Sequence, residues 1–195
     1  MKKFKLLSLC ILFITAFSCK DVKKESKEAM DTIDTTVQDV TDEIQTKTLN
    51  FTMEPKSDSN VRGDVTFTEE DGTVNMKAVL TGLTPGEHAI HIHEKADCSA
   101  ADGTSTGGHW NPTFAQHGKW GATEGYHRGD IGNFTADADG NGTVEFSTDE
   151  WCLGCDDETK DLLGKAVIVH QGVDDFVTQP TGDAGGRISC TGIIE

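Results

Sequence analysis

The sequence predicts an all-β protein: a Greek-key barrel or sandwich of about eight antiparallel strands with two long functional loops. Three observations carry that expectation. From about Thr48 onward, short segments place apolar residues at every second position, the period of a strand with one buried face. Glycine, 21 residues in the chain, is abundant between those segments, where turns need backbone freedom. No long helical period appears in this part.

The elements follow in order. Residues 49–53, 64–68 and 74–80 open the series, with Glu69-Glu70-Asp71-Gly72 as the turn between the second and third. Residues 89–93, 132–136, 142–146, 166–170 and 188–194 complete it. Two long strand-poor stretches interrupt it, 94–130 and 171–187. Long irregular loops in a compact domain are usually functional.

Ahead of this domain (48–195) lie two segments of different texture. Residues 1–18 begin with Lys2, Lys3 and Lys5, and residues 6–17 form an apolar run too short to span a membrane as a mature helix. That is the pattern of an export signal. It ends in Ala16-Phe17-Ser18-Cys19, which resembles a bacterial lipoprotein processing site and implies lipid on Cys19. Residues 19–47 are an acidic tether holding the domain off a membrane. Within it, Met30, Ile33, Val37, Val40 and Ile44 form a short helical stripe. The stripe covers about two heptads, so transient helix is expected rather than a stable coiled coil. The predicted localisation is therefore the cell envelope, exported and lipid-anchored.

The formal charge of the 195 residues is −16. Removing 1–18 takes away three lysines and no acids, leaving 14 basic against 33 acidic residues, a net −19. So acidic a chain does not bind nucleic acid or anionic lipid through its bulk charge. An anionic substrate would have to be attracted locally. Of six cysteines, Cys10 would leave with the signal and Cys19 is the anchor candidate. The remaining Cys98, Cys152, Cys155 and Cys190 read as two disulfides in an exported chain. Cys152-x-x-Cys155 also has the spacing of a redox pair or soft-metal site, but a local disulfide is the expectation.

All seven histidines lie between His88 and His170. Six of them, with Asp130, form a set suited to two metal ions that share a ligand. Imidazole is the common nitrogen ligand of copper and zinc, and a carboxylate can complete a zinc shell. His91 and His93, two apart on a strand, point to the same side. His170 ends another apolar strand. His109, His117, His127 and Asp130 lie along one loop, where the chain can wrap an ion.

These residues match a family. GEHAIHIHE at 86–94, GGHWNP at 107–112, HG at 117–118 and HRGDIGN at 127–133 resemble the copper/zinc superoxide dismutases. So do GKAVIVH at 164–170, DD at 174–175 and GDAGGRISC at 182–190. The resemblance implies copper on His91, His93, His109 and His170, and zinc on His109, His117, His127 and Asp130. His109 would be the shared imidazolate, losing its bridge and taking a proton when copper is reduced. The resemblance also implies that Asp174 links a copper histidine to a zinc histidine, with adjacent Asp175 the competing candidate. His88 would be structural, and Cys98 and Cys190 would form a disulfide. Arg187 would anchor the anion, Thr181 would line the other side of the channel, and the chain would form a homodimer. Trp110 would be a packing residue. The implied reaction converts two superoxide ions to oxygen and hydrogen peroxide.

The loop from His170 to Arg187 is shorter than in the animal enzymes and contains no lysine. Lys119, Arg128 or Lys165 are the alternatives for steering substrate, so weak electrostatic enhancement is expected. The competing functional hypothesis is a non-catalytic module on the same fold that buffers or delivers copper. A third, a structural sandwich whose tether pairs with a partner, leaves the histidines unexplained.

Overall fold

A computed structural model describes residues 46–195. The expected signal (1–18), Cys19 and the helical stripe of the tether lie outside the described residues. Within them are eight strands: β1 (Lys47–Pro55), β2 (Arg62–Glu70), β3 (Thr73–Thr81), β4 (Gly86–His93), β5 (Gly132–Ala136), β6 (Gly142–Thr148), β7 (Ala166–His170) and β8 (Arg187–Gly192). A single 3-10 turn, Thr104–Thr106, interrupts the loop after β4.

The strands close into a barrel in the order β1-β2-β3-β6-β5-β4-β7-β8, and every named pair is antiparallel. Two seams are thin. β5 meets β6 only at Ala136 and Gly142, and β1 meets β8 only at Glu54–Cys190 and Pro55–Ser189. The barrel is therefore two four-stranded sheets joined at both edges, which reconciles the barrel and sandwich alternatives of the sequence.

The interior follows the alternation. In β3, Val74, Met76, Ala78 and Leu80 are buried between exposed neighbours. Val65 and Phe67 of β2, Val144 of β6 and Val167 and Val169 of β7 meet them in one core. Strands extend beyond their apolar stretches: β1 starts at Lys47 and β2 runs to Glu70. Backbone pairing continues where side chains no longer need burial. Conversely, β8 stops at Gly192, two residues before the expected end, and Ile193 and Ile194 lie outside it.

β4 departs from simple alternation, and this positions the site. From His88 to His93 every residue is buried. Ile90 and Ile92 enter the barrel core, while His91 and His93 face outward under the loops. A third irregular connection, 149–165 between β6 and β7, joins the two expected from sequence. It contains a short Cys152–Asp161 bridge and the Cys152–Cys155 disulfide.

Candidate metal centre

The outer face of β4 is the floor of the site. The loop after it folds back along the same strand. Trp110 N–H donates to the Ile92 carbonyl (2.8 Å), Ile92 N–H to Gly129 (2.9 Å), and Gly129 N–H to Trp110 (3.0 Å). His109 forms a bridge with His93. Gly129 is required here: a Cβ would stand 2.1 Å from the Ile92 carbonyl oxygen. Three residues otherwise distant in sequence, His93, His109 and Asp130, are thereby brought to one place. Trp110 is buried in the core, with the Lys165 ammonium 5.5 Å from its ring centroid.

Two donor sets result. The nitrogens of His91, His93, His109 and His170 lie within 4.8 Å of one another, as do donors of His109, His117, His127 and Asp130. All seven side chains are buried. The sets meet at His109, whose ring lies 3.9 Å from that of His91, centroid to centroid.

The second nitrogen of most of these rings is occupied, which fixes the direction of the first. His91 Nε2 and His117 Nε2 each lie 2.9 Å from a different oxygen of Asp174. His93 Nδ1 faces the Gly107 carbonyl (3.0 Å), and His170 Nδ1 the Gly185 carbonyl (3.2 Å). That leaves His93 Nε2 and His170 Nε2 converging at 3.3 Å.

Four ring nitrogens, His91 Nδ1, His109 Nε2, His117 Nδ1 and His127 Nδ1, are buried without a hydrogen-bond partner. Asp130 oxygens approach His117 and His127 Nδ1 at 3.0 and 3.3 Å, but not in hydrogen-bonding geometry. A buried polar atom without a partner is costly. Four orphans aimed into two pockets of nitrogen donors, one completed by a carboxylate, fit an all-nitrogen copper set and an N₃O zinc set.

Electrostatics agree for three of the rings. Burial holds His93 and His170 well below the ordinary imidazole range, reinforced by neighbouring imidazoles and by Arg187. Burial also lowers His109 to about 4, against the pull of Asp130. These rings are neutral at pH 7, as ligands must be. Burial opposes charge on His117, but its contacts with Asp130 and Asp174 outweigh it and raise the ring to about 9. Asp130 and Asp174 are held below the usual carboxylate range: burial opposes this, but their histidine partners prevail.

The remaining sequence candidates fall as follows. Asp174 bridges the two sets, whereas exposed Asp175 caps a turn through Val177 N–H, Thr178 N–H and the Thr178 hydroxyl. Thr181 is half-buried in the loop beyond the Gln179–Pro180 peptide. His88 faces the Thr84 and His170 carbonyls at 2.8 and 3.0 Å and stands apart from both donor sets. Arg187 donates through Nη1 to the Gly103 carbonyl (2.8 Å) and the Thr106 hydroxyl (2.9 Å). Cys98 is bonded to Cys190, and Cys152 to Cys155.

Several contributors were not singled out by sequence. Asn133 exchanges two hydrogen bonds of 2.8 Å with the Asp174 backbone, which holds its carboxylate in place. Gln179 clamps the His117 backbone on both sides (2.8 and 2.9 Å). Gly182 stands so close that a Cβ would lie 1.9 Å from Asp174 Oδ1. Asn133 and Gln179 act across 41 and 62 residues, separations that no local periodicity relates.

An eight-stranded antiparallel barrel carrying two histidine sets joined at one imidazole defines a dinuclear metal-site protein of the β-barrel class. Comparison with known proteins makes this specific. The model of the family "Copper/zinc superoxide dismutase (SODC)" matches residues 61–194. The chain is 38% identical over 143 residues to superoxide dismutase (Cu-Zn) 2 of Mesembryanthemum crystallinum, covering 70% of this chain and 88% of that protein. Among solved structures, a SOD-like protein from Bacillus subtilis superimposes with TM-score 0.66 at 29% identity, covering 74% of this chain and 97% of the other. The clock protein EA4 gives TM-score 0.63 at 34% identity, over 74% and 94%. The chain belongs to the copper/zinc superoxide dismutase family. It is an oxidoreductase acting on superoxide, and its metals are copper and zinc.

Proposed function

We propose that copper is held by His91 Nδ1, His93 Nε2, His109 Nε2 and His170 Nε2, and zinc by Nδ1 of His109, His117 and His127 with Asp130. The observation that carries this is the set of four partnerless buried nitrogens, divided between two pockets that share His109. The chemistry copper supplies when bound is one-electron transfer: one superoxide is oxidised to oxygen, and the next is reduced with two protons to hydrogen peroxide.

The protein's own groups do the rest. Arg187 attracts and orients the anion; its guanidinium remains charged and is fixed by Gly103 and Thr106. Thr181 lines the opposite side of the channel. When not engaged by copper, His109 Nε2 would hold a proton and give it to the peroxide product, while its Nδ1 stays directed at the zinc set. Asp174 fixes His91 and His117 together, so the two metal sets keep one relative orientation.

Two disulfides among the described residues suit an oxidising compartment. We extend this to a cell-envelope protein exported by residues 1–18, lipid-anchored at Cys19 and held off the membrane by 19–47. Mass spectrometry of the membrane-associated protein tests it: an unmodified Cys19 there would refute the anchor. The domain is further proposed to form a homodimer, and sedimentation of the metal-loaded protein as a monomer at micromolar concentration would overturn that.

The decisive measurement is superoxide dismutation by protein with verified copper and zinc content, beside Arg187→Ala. A charge-assisted hydrogen bond contributes about 1.5–3 kcal/mol, so the variant should lose roughly tenfold to a hundredfold in kcat/KM. A fully metallated, inactive wild type would favour the copper-buffering alternative.

A further inference from the structure

The connection 149–165 lies outside both donor sets, yet it grips the turn that carries two zinc-set residues. His127 and Asp130 flank Arg128 and Gly129. The Arg128 carbonyl accepts a 2.8 Å hydrogen bond from the Trp151 indole N–H. The Arg128 guanidinium pairs with Glu150. On the other side of His127, the Tyr126 hydroxyl contacts both Glu150 oxygens, at 2.8 and 3.0 Å. Both sequence neighbours of His127 are therefore tied to the same dipeptide.

That dipeptide is itself immobilised. Trp151 is 1% exposed and packs against Phe146 (4.9 Å), Trp120 (5.7 Å) and Phe67 (6.5 Å between centroids). Trp120 in turn packs at a tilt against Tyr126, 4.9 Å between centroids, closing the cluster around the turn. Immediately downstream, the Cys152–Cys155 disulfide closes the segment. Leu153 N–H donates to Glu69 of β2 (2.9 Å), and Gly154 N–H to Asp161 (2.8 Å).

We infer that Glu150 and Trp151 are positioning residues that set the conformation of the 126–130 turn and so tune the zinc affinity of His127 and Asp130. Within the turn, Asp130 N–H donates to the His127 carbonyl (3.1 Å) and His127 N–H to Asp130 Oδ2 (2.8 Å). Its C-terminal half is held to β4 and the preceding loop at Gly129, and Gly118 N–H donates to Asp130 Oδ2 (3.2 Å). The Glu150–Trp151 contacts at Tyr126 and Arg128 hold the other half, on both sides of His127. Groups that orient metal ligands from outside typically govern affinity by 10- to 100-fold. This inference rests on the zinc assignment proposed above.

The test uses the full chain loaded with copper and zinc, with zinc withdrawn by chelator competition and cobalt substituted at the zinc site as an optical probe. Trp151→Phe keeps an aromatic ring, though a smaller one, and deletes the donor; Glu150→Gln keeps the shape and deletes the charge. Each should weaken zinc binding by about tenfold and alter the cobalt d–d band, with copper content unchanged. Leu80→Ala, a core change in β3, should lower thermal stability without moving either readout, which separates positioning from mere stabilisation. If Trp151→Phe does not fold, Glu150→Gln decides alone, since its side chain is partly exposed. The inference is overturned if the folded variants hold zinc like wild type and keep its cobalt spectrum while His127→Ala loses zinc. Were His127→Ala also to keep zinc, the zinc assignment itself would fail.

Discussion

Single atoms decide the chemistry of this site. His91 and His117 each turn one nitrogen to Asp174, so each has only the other left to offer. Gly182 makes that bridge possible. It sits at φ 66°, and a methyl group there would overlap Asp174 Oδ1 and reach 2.7 Å from His117 Nε2. Gly182→Ala should therefore cost about 1–3 kcal/mol in backbone strain alone. It should also weaken binding of both metals, readable by calorimetry and metal analysis. A second expectation concerns pH. In the metal-free protein His117 is raised to about 9, so its protonation stabilises the fold fully below about pH 6.5, and this is lost as pH climbs through 9. The lowered rings His93, His109 and His170 act at lower pH and are already neutral in this window. Thermal unfolding of metal-free protein should thus fall in midpoint from pH 6.5 to 9, and a flat profile would remove His117 from this role.

Among the elements, β4, β7 and the loops that follow them carry the site, and one covalent link ties the first of these loops to β8. Cys98–Cys190 joins the loop after β4 to β8 across 92 residues. Arg187, three residues before Cys190, is held by Gly103 and Thr106 of that same loop. Replacing both cysteines by alanine should cost roughly 2–5 kcal/mol of stability. It should also reduce activity beyond the stability loss, because Arg187 is then fixed from one side only; unchanged kcat/KM in the folded variant would contradict this. The strands were legible because alternation in segments such as 74–80 records one buried face. Connection 149–165 was less legible. Its anchor, Trp151 on the Arg128 carbonyl, joins residues 23 apart that no periodicity relates.

At the scale of the whole molecule, an acidic protein must admit an anion. The sequence offered Lys119, Arg128 and Lys165 as sources of attraction. Arg128 is committed to Glu150, and the Lys165 ammonium lies over the Trp110 ring. Lys119 is exposed. On the role proposed for Arg187, attraction acts at short range, where salt screens little. The expected outcome is weak dependence of kcat/KM on ionic strength. A steep fall between about 10 and 150 mM salt would instead reveal long-range steering.

The sequence by itself determined the strand periodicity, the excess of histidine between 88 and 170, the four cysteines of the domain and the acidic charge. Those are properties of residue type and spacing, and spacing of two on a strand already places His91 beside His93. Only the tertiary structure decided which nitrogen of each ring is free and that Asp174 rather than Asp175 spans the two sets. It also paired the Arg128 guanidinium with Glu150 and its carbonyl with the Trp151 indole. The physical reason is that hydrogen-bond direction and burial depend on partners brought together by folding, as His117 and Gln179 are across 62 residues. Residue type fixes what a group can do; its neighbours in space fix which of those things it does.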